Sequence, residues 1–209
     1  MYASAFVLGF HGCDEAVGEA ILRGRHPIGI SENDHDWLGE GAYFWENSPT
    51  RALQWAEFIQ AHPDWFSTRI KTPFVVGAII DLGHCLDLTD AGSLEIVRAA
   101  FDEMEIVFAM AGTPLPENEQ GHSRDEDLIK RKRDCAVINY LHVARKARSR
   151  DGVSDSTKHR PYDTVRGAFF EGKPLYEGAR IMAQTHIQIA VRHPAASIRG
   201  YFRLLPESK

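Results

Sequence analysis

Cysteine is scarce in this chain. Three residues among 209, Cys13, Cys85 and Cys135, form no Cys-x-x-Cys pair, which excludes a disulfide framework and a zinc knuckle. Metal ligation is therefore not expected, and a reducing cytoplasm is the expected home. No apolar run approaches the roughly 20 residues of a membrane span, so no membrane partner is expected. The opening stretch, Met1 to Phe10, lacks the basic start of a signal peptide. Neither sign of charge dominates: 24 Lys and Arg face 29 Asp and Glu, a net charge of −5, which gives no general attraction to nucleic acid. Internal repeats and low-complexity tracts are missing as well. What remains is an ordinary globular composition, 44% hydrophobic and 25% charged, on a chain whose length suits one domain with room for an insertion.

Hydrophobic periodicity orders the chain. Residues 4–10 alternate as a first strand ending at His11-Gly12. A short helix follows from about Asp14 to Arg23, with acids at its positive end and Gly24 at its stop. Residues 25–38 are a polar loop. Leu38-Gly39-Glu40-Gly41-Ala42-Tyr43-Phe44-Trp45-Glu46 then leads two glycines into an aromatic run suited to a half-buried strand. Ser48-Pro49 opens a helix to about Ile59, with Ala52, Leu53, Ala56 and Ile59 facing inward. Phe74–Asp81 is a buried strand. A long helix from Ser93 to about Met110 and another from about Glu126 to Ala147, burying Leu128, Cys135, Ile138 and Leu141, flank a loop at 111–123. After a polar stretch at 148–162 come strands at Thr164–Phe170, Thr185–Arg192 and Ile198–Leu204. Strands at both ends and helices between them indicate α+β.

Three spots carry chemistry. His11-Gly12-Cys13 places a histidine at a strand end, in a structural or a functional role. Gly39-x-Gly41-x-Tyr43 presents a ring after a glycine turn; the plain alternative is a turn entering a core strand. On the strand Thr185–Val191, His186 and Gln188 share one face and Ile187 and Ile189 the other. Buried polar side chains need partners, so His186 and Gln188 either satisfy each other or line a cleft.

Together, His-Gly on a first strand and Gly-x-Gly-x-Tyr-Phe about thirty residues later resemble the ADP-ribosyltransferase superfamily of the diphtheria-toxin and poly(ADP-ribose) polymerase type, whose triad is His, Tyr and Glu. The resemblance is good over residues 6–60 and thinner over 163–204. The helices at about 90–150 look like an elaboration of this chain's own. It implies a single domain with a split, mainly antiparallel β core, and NAD as the substrate. By the same resemblance His11 holds the adenosine ribose, the Gly12 backbone clamps the nicotinamide carboxamide, and Tyr43 stacks on the nicotinamide ring. Gly41 and Ser31 join the NAD-binding set. Arg166 pairs with the pyrophosphate, or else structurally with Asp163 or Glu171.

The departure lies at the third motif, where Gln188 stands for the family's glutamate. Glutamine bonds a hydroxyl but accepts no proton. Chain elongation is thereby disfavoured, leaving mono-ADP-ribosyl transfer, NAD hydrolysis, or a catalytically silent domain that binds NAD or ADP-ribose. The RNA 2′-phosphotransferase branch lacks its Arg and His pattern here. His186, Glu171 and Glu177 are the other candidates for catalytic work. The acceptor, protein or nucleic acid, is open. A bacterial toxin or defence effector with a partner antitoxin would suit such an enzyme. Between Arg124 and Arg150 nine Lys or Arg face four Asp or Glu, a basic run that either contacts nucleic acid or forms a solvated helix face.

Overall fold

The computed structural model describes residues 5–121, 128–150 and 159–204. Seven strands form one mixed sheet: β1 (Phe6–Asp14), β2 (Ala42–Glu46), β3 (Pro73–Asp81), β4 (Cys85–Asp87), β5 (Thr164–Phe169), β6 (His186–Val191) and β7 (Ile198–Arg203). Their order is β4-β5-β6-β2-β1-β3-β7, and every neighbouring pair is antiparallel except β4 and β5. Among the described residues there are also five helices, α1 (Glu15–Leu22), α2 (Pro49–Ala61), α3 (Ala91–Ala111), α4 (Lys132–Arg150) and α5 (Pro194–Ser197). The class is α+β. No helix is long and apolar enough to cross a membrane among the described residues.

Pairing within the sheet is uneven, and the unevenness positions the site. β1 pairs with β3 over nine consecutive positions, Phe6↔Asp81 to Asp14↔Pro73. Against β2 it pairs over two, Gly9↔Glu46 and Phe10↔Trp45. The two halves of the sheet are thus joined at their centre by a short seam, beyond which β1 and β2 part.

Both faces are covered. On one, α1 contributes Ile21 to a core with Phe44, Val76, Ile80, Ile189 and Val191. On the other, α3 and α4 bring Met104, Ile138 and Leu141 against Leu86, Val165 and Ala190, while α2 lays Ala52 on Phe10 and Trp45. Fully burying such an aliphatic side chain contributes roughly 1.5–3 kcal/mol.

Several sequence expectations are corrected. β1 does not stop at His11-Gly12; its ladder with β3 carries both residues into mid-strand. In α2 the buried stripe is Ala52, Ala56 and Ile59, and Leu53 is exposed. The reason is close packing: a Cβ on Gly12 would come within 2.1 Å of the Ala52 carbonyl oxygen, so only small residues fit where α2 crosses β1. Ser48 precedes Pro49 but makes no side-chain cap. α4 begins at Lys132, and Leu128 is exposed outside it; the expected start at Glu126 lies outside the described residues. α4 also runs on to Arg150, through the start of the expected polar loop, whose residues 151–158 are likewise outside the described ones.

Candidate functional site

The site grows from the seam between β1 and β2. Past Phe10↔Trp45 the strands open, and the His11 ring occupies the opening: its Nδ1 lies 2.9 Å from the main-chain oxygen of Tyr43. A carbonyl only accepts, so Nδ1 carries the proton. Burial lowers the His11 pKa, opposed in part by this bond, so the ring is neutral near pH 7 and Nε2 keeps its lone pair. Nε2 has no hydrogen-bond partner among the described residues, and the residue is half-buried. An acceptor facing the opening can take a hydroxyl.

Alternation along the strands divides the expected triad. Phe10 and Gly12 face α2, whereas His11 and Cys13 face the α1 side, where Cys13 packs near Ile21. Tyr43 and Gln188 leave on the α2 and α4 side: Gln188 pairs with Trp45 and Tyr43 with Ala190. The three therefore do not project from one face. His11 reaches Tyr43 through the opening, by way of the main chain.

Tyr43 is tied to its own loop. Its hydroxyl donates to the Gly39 carbonyl at 2.8 Å and accepts from the Leu38 amide at 3.0 Å, while its half-buried ring packs with the core beneath α4. Burial holds the phenol well above its usual pKa. The two glycines serve this closure. Gly39 has φ +76°, and a Cβ there would meet the Asn139 side chain of α4 at 2.6 Å; only glycine suits both demands. Gly41 pairs with Ser31 in a two-residue bridge and lies against Ala190 of β6. Ser31 donates to Asp36 and accepts from Asn33. Ser31 and Gly41 thus stand side by side, building the loop that carries Tyr43.

Gln188 and His186 share a face, as alternation requires, with Gly167 and Phe169 of β5 opposite them. A residue not singled out from sequence, Trp37, donates its indole N–H to Gln188 Oε1 at 2.6 Å. It lies across Gly167, where a Cβ would come within 2.6 Å of the indole ring. The bond fixes the Gln188 amide with its NH₂ turned away from Trp37, as a donor. His186 is 7% exposed, between Trp45 and Phe169. Its Nδ1 donates to the Gln184 carbonyl at 2.6 Å, and Nε2 is buried with no partner among the described residues. Burial pulls its pKa down to about 4. Glu171 follows two residues after Phe169 and accepts from Arg51 of α2 at 2.9 Å, so its carboxylate is paired. Glu177 is exposed on the loop between β5 and β6.

Arg166 faces the opposite side. Its guanidinium bonds Glu46 at 2.6 Å and 3.1 Å and Asp87 at 2.9 Å, tying β5 to β2 and β4. Neither Asp163 nor Glu171 is its partner, and the fork expected for a pyrophosphate is engaged by two carboxylates. Trp37 and Arg51 left only faint marks in sequence: an indole just before a glycine turn, and a cation in the first turn of a helix. No group of three or more His, Cys, Asp or Glu among the described residues is placed to hold a metal ion.

No known protein family, curated protein or solved structure matches the chain.

Proposed function

We propose that this protein cleaves the nicotinamide–ribose bond of NAD and transfers the ADP-ribosyl group singly to a macromolecular acceptor. The observation that carries the proposal is the His11–Tyr43 bond at the opening of the sheet. It unites two motifs 32 residues apart and leaves the Nε2 lone pair of a neutral ring as an acceptor suited to a ribose hydroxyl. Tyr43, its ring packed on the core beneath α4 and its hydroxyl engaged, holds in place the main-chain oxygen that orients His11. Gln188, oriented by Trp37, offers a donor to a ribose oxygen on the other side of the seam.

The bond that breaks joins the nicotinamide nitrogen to ribose C1′, and its electron pair leaves with nicotinamide. An acceptor lone pair forms the new bond at C1′. Gln188 removes no proton, and a His186 with pKa about 4 and a buried Nε2 is a weak base at neutral pH. An acceptor that is already anionic, such as a carboxylate, needs no such base. The same shortage of a base favours a second assignment, a domain that binds NAD or ADP-ribose without turnover.

Incubation with adenine-labelled NAD and a cell extract separates the outcomes. Label on a macromolecule together with free nicotinamide supports transfer. Nicotinamide without macromolecular label supports hydrolysis, and binding with neither supports the silent domain. If NAD is neither bound nor consumed, the proposal is wrong.

A further inference from the structure

Beyond β4, the outer edge of β5 is unpaired among the described residues. Arg192 N–H bonds the Asp163 carbonyl and Gln184 N–H the Glu171 carbonyl, while the Asp163 N–H turns to His84, so the odd-numbered residues from 165 to 169 aim their main-chain groups at β6. Even-numbered residues aim the other way. Thr164 and Arg166 meet β4, ending with Leu88 N–H on the Arg166 carbonyl at 2.7 Å. β4 then stops, as Asp90 caps α3. Ala168 and Phe170 continue the outward row with no main-chain partner among the described residues. Beside this edge runs a groove of about 380 Å³, walled by Trp37, Leu94, Val97, Phe101 and Phe169. At its rim the Arg131 guanidinium lies 5.2 Å over the Phe169 ring, and its Nε is buried without a hydrogen bond.

We propose that an extended peptide docks here as an added strand on β5, seating an apolar side chain in the groove and a carboxylate at Arg131. An exposed edge supplies main-chain hydrogen bonds and alternate side chains fill the adjoining pocket, the usual division of labour in strand addition. Nucleic acid suits the site less well. Lys132 pairs with Glu119 at 2.8 Å and Arg133 lies 3.9 Å from Glu117, while Arg131 stands 3.9 Å from Asp134, beyond hydrogen-bond range, so the groove offers one cation for a single carboxylate and no row of cations for phosphates. Trp37 walls the groove and bonds Gln188, so a docked segment lies beside the proposed reaction site. The docking itself does not depend on NAD.

The test uses short fluorescein-labelled peptides of alternating Val and Thr. Their central residue is varied among Leu, Phe and Ser, each series ends in Glu or in Lys, and a thymidine homopolymer is tested beside them. Fluorescence anisotropy measures binding in the absence of NAD, and amide hydrogen exchange reads the edge. Peptides with Leu or Phe and a terminal Glu are expected to bind, slowing exchange at Ala168 and Phe170 by about tenfold or more and leaving Gly167 and Phe169 unchanged. Ala168→Pro removes an N–H that serves no ladder bond, a tolerated place for proline, and should weaken binding by about tenfold or more. Arg131→Gln should remove the preference for Glu over Lys. If Ala168→Pro does not fold, Leu94→Asp, on the half-exposed groove wall, should abolish binding instead. Absence of binding by every peptide, binding without protection at Ala168, or preference for the oligonucleotide overturns the proposal.

Discussion

At the scale of single residues, Tyr43 illustrates how one side chain serves a loop and a site together. Its hydroxyl satisfies the Leu38 amide and the Gly39 carbonyl, holding the glycine turn against α4. Tyr43→Phe leaves both partly buried groups without that partner, and should cost about 1–3 kcal/mol in urea-unfolding free energy while keeping the ring. His186 is legible by its pH response. Its folded pKa, about 4, lies below the unfolded value near 6.5, so between these limits the unfolded chain binds the extra proton. Its contribution is fully present above pH 6.5 and is lost as pH falls toward 4. From pH 7 to pH 5 His186 should account for a loss on the order of 2 kcal/mol. Urea titrations at the two pH values should show a smaller drop for His186→Gln than for the wild type. His11, His84 and His142, whose pKa values burial also lowers, the last to about 3, contribute in the same direction to the drop that persists in the variant.

At the scale of elements, the crossing of α2 over β1 decides what Gly12 is for. Its missing side chain admits the Ala52 carbonyl. Side chains stand off a sheet while main-chain groups lie in its plane, so this packing duty and a ligand-clamping duty do not compete. Gly12→Ala forces α2 away and should destabilise by about 1–3 kcal/mol, measured as a lowered thermal midpoint. The strands β2, β3, β5, β6 and β7 were legible because each is a local run of β-branched or aromatic residues bounded by turns. β4, three residues long, was not, since Cys85–Asp87 becomes a strand only by pairing with β5 some eighty residues later. The same non-locality hid the role of Arg166: its partners Glu46 and Asp87 come from two other strands. It also hid the Trp37–Gln188 bond, which spans 151 positions. Alternation did place His186 and Gln188 on one face. It could not place His11 relative to Tyr43, because that depends on where the β1–β2 seam ends.

At the scale of the whole molecule, a seven-stranded sheet covered on both faces offers two irregularities at which chemistry can occur. One is the seam that opens after Phe10↔Trp45; the other is the β5 edge that β4 leaves uncovered. The first supplies a neutral histidine acceptor and an oriented amide, the second an apolar groove with an arginine rim. With a net charge of −5 and Lys132 and Arg133 set beside acids, the molecule has no general electrostatic reason to gather phosphate backbones. The central claim is that NAD is cleaved at the seam. It is tested most directly by chromatographic measurement of nicotinamide released from NAD by the purified wild type and by His11→Ala, with thermal midpoints recorded for both. Steady release by the wild type, reduced by about 100-fold in a folded His11→Ala, is the predicted result. Equal rates for the two proteins, or no release by the wild type, would contradict it.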